Sequence, residues 1–113
     1  MIDTLALVNE FCYFRQLSDG RLMVGGGRFQ NPVEERSHSD ETTPNVQGVI
    51  ERFIAQYFPE ADGKIERRWA GIHGMTPDGL PIIGSLPGEP NVYFVVGFSG
   101  HGNSMGLIAG ERV

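Results

Sequence analysis

The sequence predicts an α+β fold: a mixed, mostly antiparallel sheet with one long amphipathic helix packed on it, ending in a strand, a glycine loop and the start of a helix. Three observations predict it. Short runs of β-branched and aromatic residues recur along the chain, and several alternate between two faces. One stretch, Pro44–Phe58, instead repeats its apolar residues at helical spacing. The third is Asn91–Gly106, NVYFVVGFSGHGNSMG, where a strand signal breaks into glycines before Met105–Val113 begins to read as a helix.

Taken in order, Leu5–Val8 is a short strand. Phe11–Leu17 is a stronger one, with Phe11, Tyr13, Arg15 and Leu17 on one face and Cys12, Phe14 and Gln16 on the other. Ser18-Asp19-Gly20 is a hairpin loop with Gly20 suited to a left-handed backbone, and Arg21–Gly26 returns antiparallel. Gly25-Gly26-Gly27 ends that strand. It is not a dinucleotide loop, because Gln30 stands where the last glycine should be and Asn31-Pro32 where the helix should start. Asn31–Thr43 is a polar surface loop, and its His38 is a solvated side chain.

Thr43 is placed to cap a helix whose first residue is Pro44. Val46, Val49, Ile50, Phe53, Ile54, Tyr57 and Phe58 form its apolar stripe, which reads as core packing against the sheet. Gly48 inside it costs about 1 kcal/mol relative to alanine. Pro59 stops the helix, and Glu60–Gly63 is a turn. Lys64–Gly71 alternates Ile65, Arg67 and Trp69 against Glu66, Arg68 and Ala70, as a strand does. Thr76-Pro77-Asp78-Gly79 has turn chemistry at every position. Leu80–Gly84 is a short apolar strand, and Ser85–Pro90 loops into the strand that opens at Asn91.

Composition bounds the function. At 113 residues the chain is one domain at most, with a modest core. A net charge of −5 argues against a nucleic-acid or anionic-membrane surface. No stretch approaches the roughly 18 apolar residues of a membrane span. Met1-Ile2-Asp3 shows no signal-peptide pattern, so a cytoplasmic location is expected. The single cysteine, Cys12, cannot make an internal disulfide and reads as a buried small hydrophobe. No metal site is expected.

Strand, glycine loop and helix start are the layout of an anion or cofactor site. Glycines let backbone approach a ligand, and the free N–H groups at a helix N-terminus point at negative charge. The dinucleotide fingerprint does not fit, since Gly100, Gly102 and Gly106 have a looser spacing. A serine elbow fails too, because His101 follows Gly97-Phe98-Ser99-Gly100. Two readings stand on the residues alone: a tight strand-to-helix turn packed by glycine, or a ligand loop.

Two motifs, Trp69-Ala-Gly-Ile-His-Gly-Met-Thr-Pro-Asp-Gly-Leu-Pro-Ile-Ile-Gly84 and Asn91-Val-Tyr-Phe-Val-Val-Gly-Phe-Ser-Gly-His-Gly102, resemble the C-terminal part of FAD-dependent amine and amino-acid oxidoreductases. That family includes D-amino-acid oxidase, glycine oxidase and sarcosine oxidase. A weaker resemblance reaches back to Tyr13-Phe-Arg and Asp19–Gly26, so it covers most of this chain but only the last third of such an enzyme. It implies that 1–77 is part of a substrate domain and 78–113 a segment returning to the FAD-binding domain. The N-terminal dinucleotide-binding half is absent, and both ends look cut. The expectation is therefore a fragment, inactive alone, of an enzyme oxidising a C–N bond of an amine or amino acid. A stand-alone, non-catalytic binding or interaction module derived from that fold is the alternative. Open strand edges in a fragment imply self-association, with exchange of the C-terminal segment as one route.

The resemblance also implies roles. Gly71, Ile72, Gly100, His101, Gly102, Asn103 and Ser104 are cofactor-binding candidates, the last five at the flavin's pyrimidine edge. His73 and His101 are the catalytic candidates. In sarcosine oxidase the histidine matching His101 lies over the flavin, and packing or polar tuning is the other reading. Glycine oxidase has a substrate-carboxylate arginine where this chain has His73, which lacks the guanidinium fork. Arg15, Arg21 or a residue of the missing half could replace it. The cysteine that links flavin in sarcosine oxidase corresponds to Gly71, so FAD is expected to be non-covalent in the parent, and not held by this chain alone. Met23 stands where that enzyme has a lysine assisting reaction with oxygen, which leaves oxidase and dehydrogenase both open.

Overall fold

The computed structural model describes residues 6–8 (backbone), 12–61 and 64–112. Leu5, Phe11, Asp62, Gly63 and Val113 of the expected elements, and the Met1-Ile2-Asp3 start, lie outside the described residues. The fold is α+β and divides into two compact units, Met1–Gly71 and Ile72–Val113. Among the described residues all strand pairs are antiparallel, and they fall in two small sheets.

In the first unit, β1 (Ala6–Val8), β2 (Cys12–Gln16) and β3 (Leu22–Gly25) form a meander in that order. The β2–β3 hairpin closes through Leu17, whose N–H donates to the Arg21 carbonyl at 2.8 Å. Gly20 takes the left-handed conformation the loop demands, with φ 91°. Tyr13 pairs across the hairpin with Gly25, and its ring fills the space a side chain there would need.

Helix α1 (Pro44–Tyr57) starts at the expected proline. Thr43 occupies the N-cap, but its hydroxyl caps no backbone N–H. Thr43 Oγ1 is buried, faces the Glu34 carboxylate and falls short of hydrogen-bond geometry with it. That neighbour and the Asn45 amide, 2.9 Å from Glu34 Oε2, hold Glu34 below the usual carboxylate range.

The apolar stripe turns onto the sheet. Val49 and Phe53 are buried, and with Cys12 they form the core, flanked by Phe14, Val24 and Phe58. Cys12 is buried as expected. Phe14 meets Phe58 edge-on at 4.8 Å, and Phe53 lies 4.8 Å from Tyr57. Tyr57 itself stays 42 % exposed, so the outer end of the stripe is the rim of the core.

One expected element does not form. Lys64–Gly71 has no strand structure and is exposed throughout. Alternation makes a strand only where a second strand lies alongside to take its backbone bonds. Side chains tether this segment instead. Arg68 donates to Gln47 and pairs with Glu51, each at 2.6 Å, while Glu66 lies 3.5 Å from Arg21.

In the second unit, β4 (Ile82–Ser85) pairs with β5 (Tyr93–Val96), with Ile82 opposite Val96 and Gly84 opposite Phe94. Helix α2 (Gly102–Gly110) follows the glycine loop and starts three residues before Met105. Ser99 and Ala109 are this unit's buried residues among those described.

Candidate functional site

The loop between β5 and α2 is shaped by three left-handed residues: Gly97 at φ 71°, Ser99 at 51° and Gly100 at 90°. Ser99 and Gly100 are the centre of a turn closed by the His101 N–H on the Phe98 carbonyl at 2.8 Å. Positive φ at both central positions is the type I′ pattern, which suits glycine and strains serine.

The strain is held by the segment that precedes β4. The Ser99 N–H donates to the Gly74 carbonyl at 3.0 Å. The Thr76 N–H donates to Ser99 Oγ at 3.1 Å, and the two hydroxyl oxygens lie 3.2 Å apart. Thr76 Oγ1 donates to the Leu80 carbonyl at 2.8 Å. Thr76 Cγ2 would sit 2.6 Å from a Cβ at Gly97, so only glycine fits there. The expected Thr76–Gly79 turn is present, closed by the Gly79 N–H on the Thr76 carbonyl at 3.2 Å.

A pocket of about 350 Å³ opens at this junction. Ile72, His73 and Gly74 line it from one side, and Gly97, Phe98, Ser99 and Gly100 from the other. Gly102 and Asn103, the first residues of α2, complete it. Five of the candidates thus come together: Ile72, His73, Gly100, Gly102 and Asn103. Gly71 belongs to the first unit, and neither His101 nor Ser104 lines the pocket. His101 is the N-cap of α2, and its carbonyl accepts both the N–H and the hydroxyl of Ser104.

The lining is donor-rich and has no carboxylate, and the first turn of α2 holds no acidic residue. Among the described residues, the N–H groups of Gly100, Gly102 and Asn103 meet no protein acceptor. Such a set fits an electron-rich ring edge or another partly negative group. It therefore fits the pyrimidine edge of a flavin. Sequence reasoning named the loop but missed Ser99 and Thr76, which shape it. The signal was a small polar residue between glycines, at a place where the backbone turns left-handed.

On the first unit, Arg21 is already engaged. Its Nη2 lies 2.7 Å from Asp19 Oδ2, and this hydrogen-bonded pairing lowers the Asp19 pKa and raises that of Arg21. Arg15 is an exposed residue of β2, opposite Met23. No group of acidic, histidine or cysteine side chains able to hold a metal occurs among the described residues. No described helix is long and apolar enough to cross a membrane.

The chain is 29 % identical over 102 residues to the γ-glutamylputrescine oxidoreductase of Escherichia coli, covering 89 % of this chain and 22 % of that protein. It is 32 % identical over 70 residues to a monomeric sarcosine oxidase of a Bacillus species, 62 % of this chain and 18 % of that one. It is 29 % identical over 113 residues to the glycine oxidase of Bacillus licheniformis, 97 % of this chain and 29 % of that one. The chain thus spans less than a third of these relatives' lengths. No solved structure gives a significant match. The family described as FAD dependent oxidoreductase matches residues 5–113, nearly the whole length, and the chain belongs to that family.

Proposed function

We propose that this chain is a C-terminal portion of an FAD-dependent oxidoreductase acting on a C–N bond of an amine or amino acid. In that portion, 1–77 contributes to the substrate domain and 78–113 returns to the FAD-binding domain. The observation that carries the reading is the donor-rich pocket without a carboxylate at the start of α2, in a chain of this family. The share of the relatives that it spans supports a larger whole.

When bound, the flavin supplies hydride acceptance from the carbon next to the substrate nitrogen. The chain's own residues do the rest. The Gly100, Gly102 and Asn103 N–H groups, reinforced by the α2 dipole, hold negative charge at the pyrimidine edge. Ile72 and Phe98 give the pocket its apolar lining. His73, which lines the pocket, and His101, beside it, are the candidates to orient the substrate, and an imidazole at His73 offers single hydrogen bonds rather than a fork. Of the arginines considered for a substrate carboxylate, Arg21 is paired with Asp19. Gly71 offers no thiol, so the flavin is non-covalent. The chain expressed without a dinucleotide-binding part is inactive and associates with itself.

FAD titration tests the reading. The pyrophosphate and ribose contacts of a dinucleotide site lie outside this chain, leaving a few hydrogen bonds of about 0.5–1.5 kcal/mol each against the entropy of capture. The purified chain is expected to be colourless, and FAD to keep its free fluorescence at micromolar concentration. A longer polypeptide that includes the dinucleotide-binding half is expected to be yellow and to release its flavin on denaturation. Stoichiometric flavin on the 113-residue chain overturns the division of labour. A colourless longer polypeptide favours the stand-alone module.

A further inference from the structure

We propose that Thr76 and Ser99 form a clasp that positions the backbone donors of the glycine loop. They are positioning residues for the anionic edge of the bound ring, and this rests on the flavin reading above.

Each hydroxyl has one proton, which gives the clasp a direction. The Thr76 proton goes to the Leu80 carbonyl at 2.8 Å. At the 3.2 Å contact between the hydroxyls, Thr76 is therefore the acceptor and Ser99 the donor. The Gly97 carbonyl, 3.4 Å from Ser99 Oγ, is the weaker alternative for that proton. Ser99 Oγ in turn accepts the Thr76 N–H at 3.1 Å. A chain of donation thus runs from Ser99 through Thr76 to Leu80, and the Ser99 N–H adds a bond to Gly74.

These bonds hold a serine, 5 % exposed, at φ 51°. A serine in that region relaxes to negative φ unless its surroundings over-determine it. Were it to relax, the Phe98–His101 turn would open, and Gly100, Gly102 and Asn103 would no longer lie along one pocket. The hydroxyls are bonded to each other and to backbone groups, so they act through the loop backbone rather than on a ligand.

Amide exchange by NMR on the full chain tests the clasp without flavin. The readout is the His101 N–H, which closes the turn, against amides of β4 and β5. Ser99→Ala and Thr76→Val each are expected to speed His101 exchange about tenfold, the equivalent of one hydrogen bond, while the β4–β5 amides stay as they were. Thr76→Ser, which keeps the hydroxyl, is expected to restore wild-type exchange. Unchanged exchange, exchange raised equally across the unit, or Thr76→Ser behaving like Thr76→Val overturns the clasp. In the longer flavin-bearing polypeptide, Ser99→Ala is expected to lower the flavin's midpoint potential by about 30 mV, the two-electron equivalent of tenfold. A loosened loop with an unchanged potential overturns its positioning role. A loosened loop in a polypeptide that takes up no flavin sinks the flavin reading and leaves the clasp standing.

Discussion

Gly97 and Gly106 belong to one glycine-rich stretch, yet the structure asks opposite things of them. Gly97 is left-handed and has Thr76 Cγ2 against the space a Cβ would need. Gly106 lies inside α2 with open space around it. Gly97→Ala is expected to destabilise the chain by about 1–2 kcal/mol from backbone strain alone, with the clash in addition. Gly106→Ala is expected to stabilise it by about 0.5–1 kcal/mol. Urea titrations of the two variants check the opposite signs. No local pattern separates these two glycines. The same holds for Ser99, whose role depends on Thr76, a partner 23 residues away in sequence.

At the scale of elements, the legible parts were those with a period. The α1 stripe and the β2–β3 hairpin follow from spacing and from Gly20, because both are set by residues close in sequence. The Lys64–Gly71 strand was misread because alternation cannot say whether a neighbouring strand exists. Its Arg68 and Glu66 are spent on α1 and the hairpin instead. The weight of the first unit falls on a few side chains, chiefly Phe53, which is 3 % exposed and meets three other rings. Phe53→Ala is expected to cost about 3–5 kcal/mol and to abolish cooperative unfolding of this unit. Thermal melts followed by circular dichroism check it, and a change below about 1 kcal/mol would contradict the core assigned to α1.

At the scale of the molecule, the second unit leaves apolar side chains exposed on both faces of its ribbon. Neighbours Ile82 and Ile83 point to opposite sides of β4 and are 53 % and 42 % exposed, while Tyr93 and Val96 on β5 are 56 % and 49 % exposed. Leu107 and Ile108 on α2 are exposed too. Apolar surface on this scale is normally covered by another part of a protein. The isolated chain is therefore expected to be a dimer or larger at high concentration. Static light scattering checks this, and a monomer across the concentration range would count against it.

The clasp also bears on the order in which the molecule is made. The β4–β5 hairpin is nested between Thr76 and Ser99, so pairing of Ile82 with Val96 draws the clasp's two ends together. Closing the 76–99 span before the hairpin forms means paying the full entropy of a long loop for a few hydroxyl bonds. Hairpin first, clasp second is the cheaper sequence, and a strained serine has no reason to turn left-handed until Thr76 arrives. The glycine loop is thus expected to mature after the hairpin whose ends it joins.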